Sequence, residues 1–139
     1  LKILIKEINA EEYISIFTNI NRDKLNDFYA KSDLFVLGNY MLENGDTEGC
    51  PVVFIEAMSY MLPIIGGLGG GVENAINNGD NGFLIQANNL NELYDKIYLI
   101  LNNGDVIKGM SLNSRKKIIA DHDIEKISNE FDKILRELN

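Results

Sequence analysis

Cysteine, histidine and proline are nearly absent from these 139 residues, with one, one and two copies respectively. The lone Cys50 excludes an internal disulfide and the usual multi-cysteine zinc sites. The lone His122 restricts any catalytic triad to its own surroundings. Set in Asp121-His122-Asp123 at a helix start, it reads as a capping or solvated histidine. Those two aspartates are too few for a calcium loop, which needs more oxygen ligands. No apolar run approaches the roughly 18 residues of a membrane span, and no signal-peptide pattern opens the chain. A soluble cytoplasmic protein is therefore expected. Positive charge is also scarce, with 13 basic against 21 acidic side chains and a formal charge of −8. Duplex DNA or a polybasic membrane contact would need a cationic patch, so both are disfavoured. From Ser32 to Asp95 there is no lysine or arginine at all, against nine acids.

What remains is an ordinary globular balance, 45% apolar and 24% charged, at a length that suits a single domain over 1–139. Leu1, Leu4, Ile5 and Ile8 form a helical stripe, with a strand through Leu1, Ile3 and Ile5 as the competing reading. The β-branched and aromatic run at 13–17 predicts a strand. A helix follows from Asn21, an N-cap residue, with Leu25, Phe28 and Tyr29 on one face. Leu34 to Leu37 is continuously apolar, which predicts a strand buried on both faces. After a polar loop from Gly38 to Cys50, Pro51 suits a first helical position and the helix runs on to Tyr60. Strands are expected at 63–65 and 83–85, with a short helix at 72–77 between them. Helices at 90–101, 106–120 and 124–138 close the chain. The stripes Ile97, Ile100, Leu101 and Ile127, Phe131, Ile134, Leu135 are expected in the core. Lys108, Arg115, Lys116 and Lys117 read as a solvated basic face. Strands alternating with helices give an α/β fold with a Rossmann-like, doubly wound parallel sheet.

Ten of the twelve glycines lie between Gly38 and Gly82, in loops at the ends of expected strands. Ligands of open α/β sheets bind outside the carboxyl ends of the strands, which makes the loops 38–50 and 66–71 neighbours on one rim. The start of the 51–60 helix lies on that rim and offers unpaired amides and a favourable dipole to a phosphate. Two carboxylates flank this position. Glu48 lies in the loop before the helix, and Glu56 lies roughly 7–8 Å along the axis beyond Pro51 at 1.5 Å per residue. Val52 and Glu56 are four residues apart and share a face. The geometry suits a diphosphate with a hydroxyl-bearing group on each side, each met by a carboxylate.

The segment Glu48-Gly49-Cys50-Pro51-Val52-Val53-Phe54-Ile55-Glu56 resembles the Glu, seven residues, Glu motif of retaining GT-B glycosyltransferases of the large group 1 family. Three further pieces resemble that family in order: Phe28 to Val36 before the motif, Pro63-Ile64-Ile65 with Gly69-Gly70-Gly71-Val72-Glu73 after it, and then Gly79 to Leu84. The resemblance implies the C-terminal half of a GT-B fold, truncated at its N-terminus, that binds a nucleotide-sugar donor. On it, Glu48 contacts the transferred sugar and is the catalytic position, and Glu56 bonds the ribose hydroxyls. The amides of Val52 and Val53 meet the diphosphate, with Gly49 and Cys50 lining the same pocket. Asn19 and Ile20 lie against the base. The donor is a UDP-, GDP- or ADP-sugar; no cofactor and no metal are implied.

Departures accompany the likeness. Pro51 stands where the family often has glycine and removes one donor from the phosphate cradle. Gly38-Asn39 replaces a common Pro-Ser. The family's basic clamp comes from a first strand and helix, and this chain, opening on Leu1, is expected to begin after them. It is likewise expected to lack the N-terminal acceptor-binding domain, through which any peripheral membrane association would run. The isolated chain is expected to be inactive. Family sheets are ordered 3-2-1-4-5-6, so the strand expected at 13–17 would lack its usual neighbours and should be exposed or paired with another chain. Two other functions stay open at this point: a sugar-nucleotide epimerase of the same fold, and a non-catalytic nucleotide-sugar-binding subunit.

Overall fold

The computed structural model describes residues 1–38, 52–86 and 88–137. They belong to two compact units, Leu1–Ala30 and Lys31–Asn139. The first unit opens with α1 (Lys2–Glu7), where the spacing of Leu1, Leu4, Ile5 and Ile8 predicts a helix. Of its residues only Ile5 is buried. The strand expected at 13–17 does not form: Ala10 accepts from the amides of both Tyr13 and Ile14, and residues 14–18 are irregular. Strand propensity is realised only against a neighbouring strand, and none pairs here among the described residues. The exposure expected for this segment is observed at Tyr13, Ile14 and Phe17. Phe17 turns to α2 (Arg22–Lys31), its ring 4.7 Å from that of Phe28, with the Lys24 ammonium 4.8 Å above it. Asn21 caps α2 as its sequence predicts, its side-chain oxygen accepting from the Lys24 amide at 2.9 Å.

The second unit carries a parallel sheet of β1 (Phe35–Leu37), β2 (Ile64–Gly67) and β3 (Gly82–Ile85), in the order β1-β2-β3. Phe35 lies opposite Ile64, and Ile64 opposite Gly82. Helices fill the crossovers: α3 (Val52–Ser59) between β1 and β2, and α4 (Val72–Ala75) between β2 and β3. After β3 come α5 (Leu90–Leu101), α6 (Gly104–Asp121) and α7 (Ile124–Glu137). Asn89 and Asn103 cap α5 and α6, and Asp123 accepts from the Glu125 and Lys126 amides at the start of α7. His122 ends α6 as its C-cap.

Period-two alternation in β2 separates the two faces of the sheet. Ile65 packs with Ile85, Ile100 of α5 and Met110 of α6 in one core. Gly66 points the other way, where a Cβ would meet Ile76, Val72 and Phe54 at 2.6–3.1 Å, so its missing side chain lets α3 and α4 settle on the strand. Both faces are covered, as a doubly wound sheet requires. Gly82 is fixed by a different constraint, since a Cβ there would collide with the Ile64 carbonyl of the adjacent strand.

Two burial expectations are corrected. β1 is half-buried rather than covered on both faces, with Val36 40% exposed. It ends the sheet among the described residues and has a strand on one side only. The α7 stripe is not core: Ile127, Phe131, Ile134 and Leu135 are all exposed, and no residue of α7 is buried. α5 divides its own stripe, burying Ile100 completely and leaving Leu101 exposed.

Candidate functional site

α3 is apolar almost all round, interrupted by Glu56, which is the composition of a helix with little solvent-facing surface. Phe54, Ala57 and Met58, spaced i, i+3, i+4, are fully buried. The Phe54 ring stands edge-on to Phe35 of β1 at 5.8 Å and 86°. This anchoring leaves the first turn outward, with Val52 exposed and Val53 and Glu56 half-buried. Because α3 joins two parallel strands, its N-terminus lies at the end of the sheet from which β1 and β2 exit. The first amides of a helix have no intrahelical carbonyl to bond, and among the described residues Val52 and Val53 open α3. Glu56 follows Val52 by one turn on the same side, about 6 Å along the axis.

The second part of the rim follows β2. The Leu68 amide bonds the Ile85 carbonyl at 2.8 Å, closing the strand end. The chain then turns through Gly69 at φ 125° and Gly70 at φ 67°, left-handed conformations that glycine adopts without strain, and enters α4 at Val72. The α3 start and this glycine turn thus leave neighbouring strands on the same rim, as the sequence implies.

The other expected residues are placed less completely. Asn19 is exposed in the first unit at φ 54°, so the expected turn is present, and Ile20 beside it is half-buried. Glu48, Gly49 and Cys50 lie outside the described residues, as does Pro51. Among the described residues, no group of three or more His, Cys, Asp or Glu is placed to hold a metal ion, and no helix is long and apolar enough to cross a membrane.

The roles of four residues of the second unit escape a reading of sequence alone. Arg115, part of the expected solvated face, donates from α6 to the Ser59 carbonyl at 3.3 Å, placing a cation at the negative end of the α3 dipole. Lys117 of the same face pairs with Asp121 at 2.9 Å, and this bond holds the Asp121 carboxyl below its ordinary range. Asn81 and Ser114 are completely buried and hydrogen-bonded. Asn81 carried a signal only as the middle of an Asp-Asn-Gly turn. Long-range partners such as Leu62 for Ser114 leave none.

Comparison with known proteins covers nearly the whole chain. The family model for glycosyl transferases group 1 matches residues 1–121. An uncharacterised glycosyltransferase of Haemophilus influenzae is 33% identical over 136 residues, which is 97% of this chain and 36% of that protein. Among solved structures, Anabaena Alr3699/HepE in complex with UDP superposes with a TM-score of 0.84 at 20% identity, over 98% of this chain and 35% of its own. Sucrose-phosphate synthase from Thermosynechococcus elongatus superposes with a TM-score of 0.82 at 23% identity, over 99% of this chain and 33% of its own. At those identities the structures establish the fold, an α/β domain with a parallel sheet of the GT-B type. The chain spans about a third of the length of the relatives it matches.

Proposed function

Because the chain belongs to the glycosyl transferases group 1 family, we propose that it is the donor-binding part of a retaining GT-B enzyme. That enzyme transfers a hexosyl group from a nucleoside diphosphate sugar to a glycan, lipid or polysaccharide-precursor acceptor. The observation that carries this reading is the start of α3, where the amide-bearing first turn and the Glu56 carboxylate share one side of a helix anchored by Phe54, Ala57 and Met58. The Val52 and Val53 amides receive the diphosphate, and Glu56 accepts from the ribose hydroxyls one turn further on. Glu48, with Gly49 and Cys50 in the preceding loop, meets the transferred sugar, and Asn19 with Ile20 meets the base. The complex of the Anabaena neighbour with UDP supports a nucleoside diphosphate as the ligand class.

Catalysis on this reading is electrostatic. Amide dipoles offset the charge that develops on the leaving diphosphate, with no metal ion in that role. The cation-free stretch from Ser32 to Asp95 means that the remaining positive charge comes from residues outside it. Titration of the intact protein with UDP, GDP and ADP in turn identifies the base. Glu56→Ala should weaken the preferred nucleotide by roughly 10- to 100-fold, the loss of a hydrogen-bonded carboxylate. Unchanged affinity would remove Glu56 from the ribose site.

A further inference from the structure

The donor-site reading needs the start of α3 and the glycine turn before α4 at a fixed separation, and the fold holds that separation at two levels. Near the rim, Gly66 admits Phe54 of α3 together with Val72 and Ile76, packed where a side chain would otherwise stand. At the opposite ends of the two helices the link is polar and runs through one residue. Asn81 precedes β3, is 0% exposed, and uses both ends of its amide. Its Nδ2 donates to the Ala75 carbonyl, at the last residue of α4, and to the Met58 sulfur of α3, each at 3.1 Å. Its Oδ1 accepts from the Asn77 amide at 2.8 Å. Its backbone carbonyl accepts from the Ile64 amide at 3.3 Å, tying the same residue to β2.

We propose that Asn81 is a positioning residue of the donor site, setting the gap between the α3 N-terminus and the glycine turn at 68–71. This inference rests on the donor-site reading above. A side chain that joined only one element would matter for stability alone. Asn81 joins the two helices whose other ends form the rim, one of them two residues beyond Glu56. Both helices are short, so a shift at the buried end is carried to the rim nearly undiminished.

Ser114 supplies the control. It is equally buried and shares its one hydroxyl proton between the Leu62 carbonyl at 2.9 Å and the Asn81 carbonyl at 3.2 Å, so it ties α6 to the strand starts without joining α3 to α4. The test measures calorimetric Kd values of the intact protein for UDP, GDP and ADP at a temperature where every variant is folded. Asn81→Ala should raise the Kd of the preferred nucleotide about tenfold, the scale of a small misplacement of binding groups. Ser114→Ala, which also loses buried hydrogen bonds, should stay within about twofold of wild type. If Asn81→Ala does not fold, Asn81→Leu reads the same quantity, since it fills nearly the same space and makes none of the side-chain bonds to Ala75, Met58 and Asn77. Equal Kd values for the Asn81 variant and wild type, or equal weakening in Asn81 and Ser114 variants, would overturn the positioning role. A wild type that binds none of the three nucleotides would overturn the donor-site reading itself, and the inference with it.

Discussion

Two helices of the second unit invert the usual relation between apolar pattern and burial. α3 has apolar residues on nearly every side, and Phe54, Ala57 and Met58 are fully enclosed by the sheet and its neighbours. α7 has the cleaner amphipathic pattern, with Ile127, Phe131, Ile134 and Leu135 as its stripe, and buries none of them. Polar bonds tie its start: the Asp123 cap, and the Lys126 ammonium on the Ala120 carbonyl at 2.8 Å. A regular apolar stripe therefore shows that a helix can cover something. It does not show that the thing covered belongs to the same chain. An all-round apolar helix carries the stronger statement, because no orientation of it suits water.

Substitution of the same residue type in both helices breaks or sharpens this comparison. The largest effect is expected at Phe54, which is 0% exposed and touches Phe35 across to β1. Phe54→Ala should cost about 3–5 kcal/mol in urea unfolding, the loss of burial plus a cavity. A cost under 1 kcal/mol would mean that α3 is not held as described. Gly66→Ala comes next. Its new methyl group must displace Val72 and the flexible end of Ile76, so about 1–3 kcal/mol is expected from the same measurement. A neutral result would show that α3 and α4 have room to part, and would also weaken the case for a fixed rim.

The sheet was legible because its strands announce themselves twice, by apolar runs and by the breakers between them. The runs Leu34 to Leu37, Ile64-Ile65 and Phe83 to Ile85 each coincide with a strand, the first from Phe35. The segment at 13–17 has the same composition and fails, because β-branched residues need a partner strand and composition cannot say whether one is present. The candidate site was legible in part for a related reason. Glu56 and the α3 start are local, four residues apart on one helix, and periodicity reaches that far. Asn81 is tied to Met58, 23 positions away, and Ser114 to Leu62, 52 positions away. Such bonds depend on the register of strands and on how helices pack over them, which no local pattern encodes.

The smallest effect is expected in α7, and it is the one that decides what the comparison means. Phe131 is 62% exposed, so Phe131→Ala removes little burial, and unfolding of this chain should change by less than about 0.5 kcal/mol. Helix propensity even favours alanine there, which offsets part of the remaining loss. A cost near that of Phe54→Ala would show that the stripe is enclosed in solution, and α7 would then be core after all. With the small value, the two phenylalanines separate cleanly: identical in chemistry, both on apolar helix faces, and different in worth by several kcal/mol because one face has a sheet against it. Ile127→Glu extends the test, since a charge on a truly open stripe should be as harmless as the alanine. Enclosure by any partner would make that same charge costly to bury.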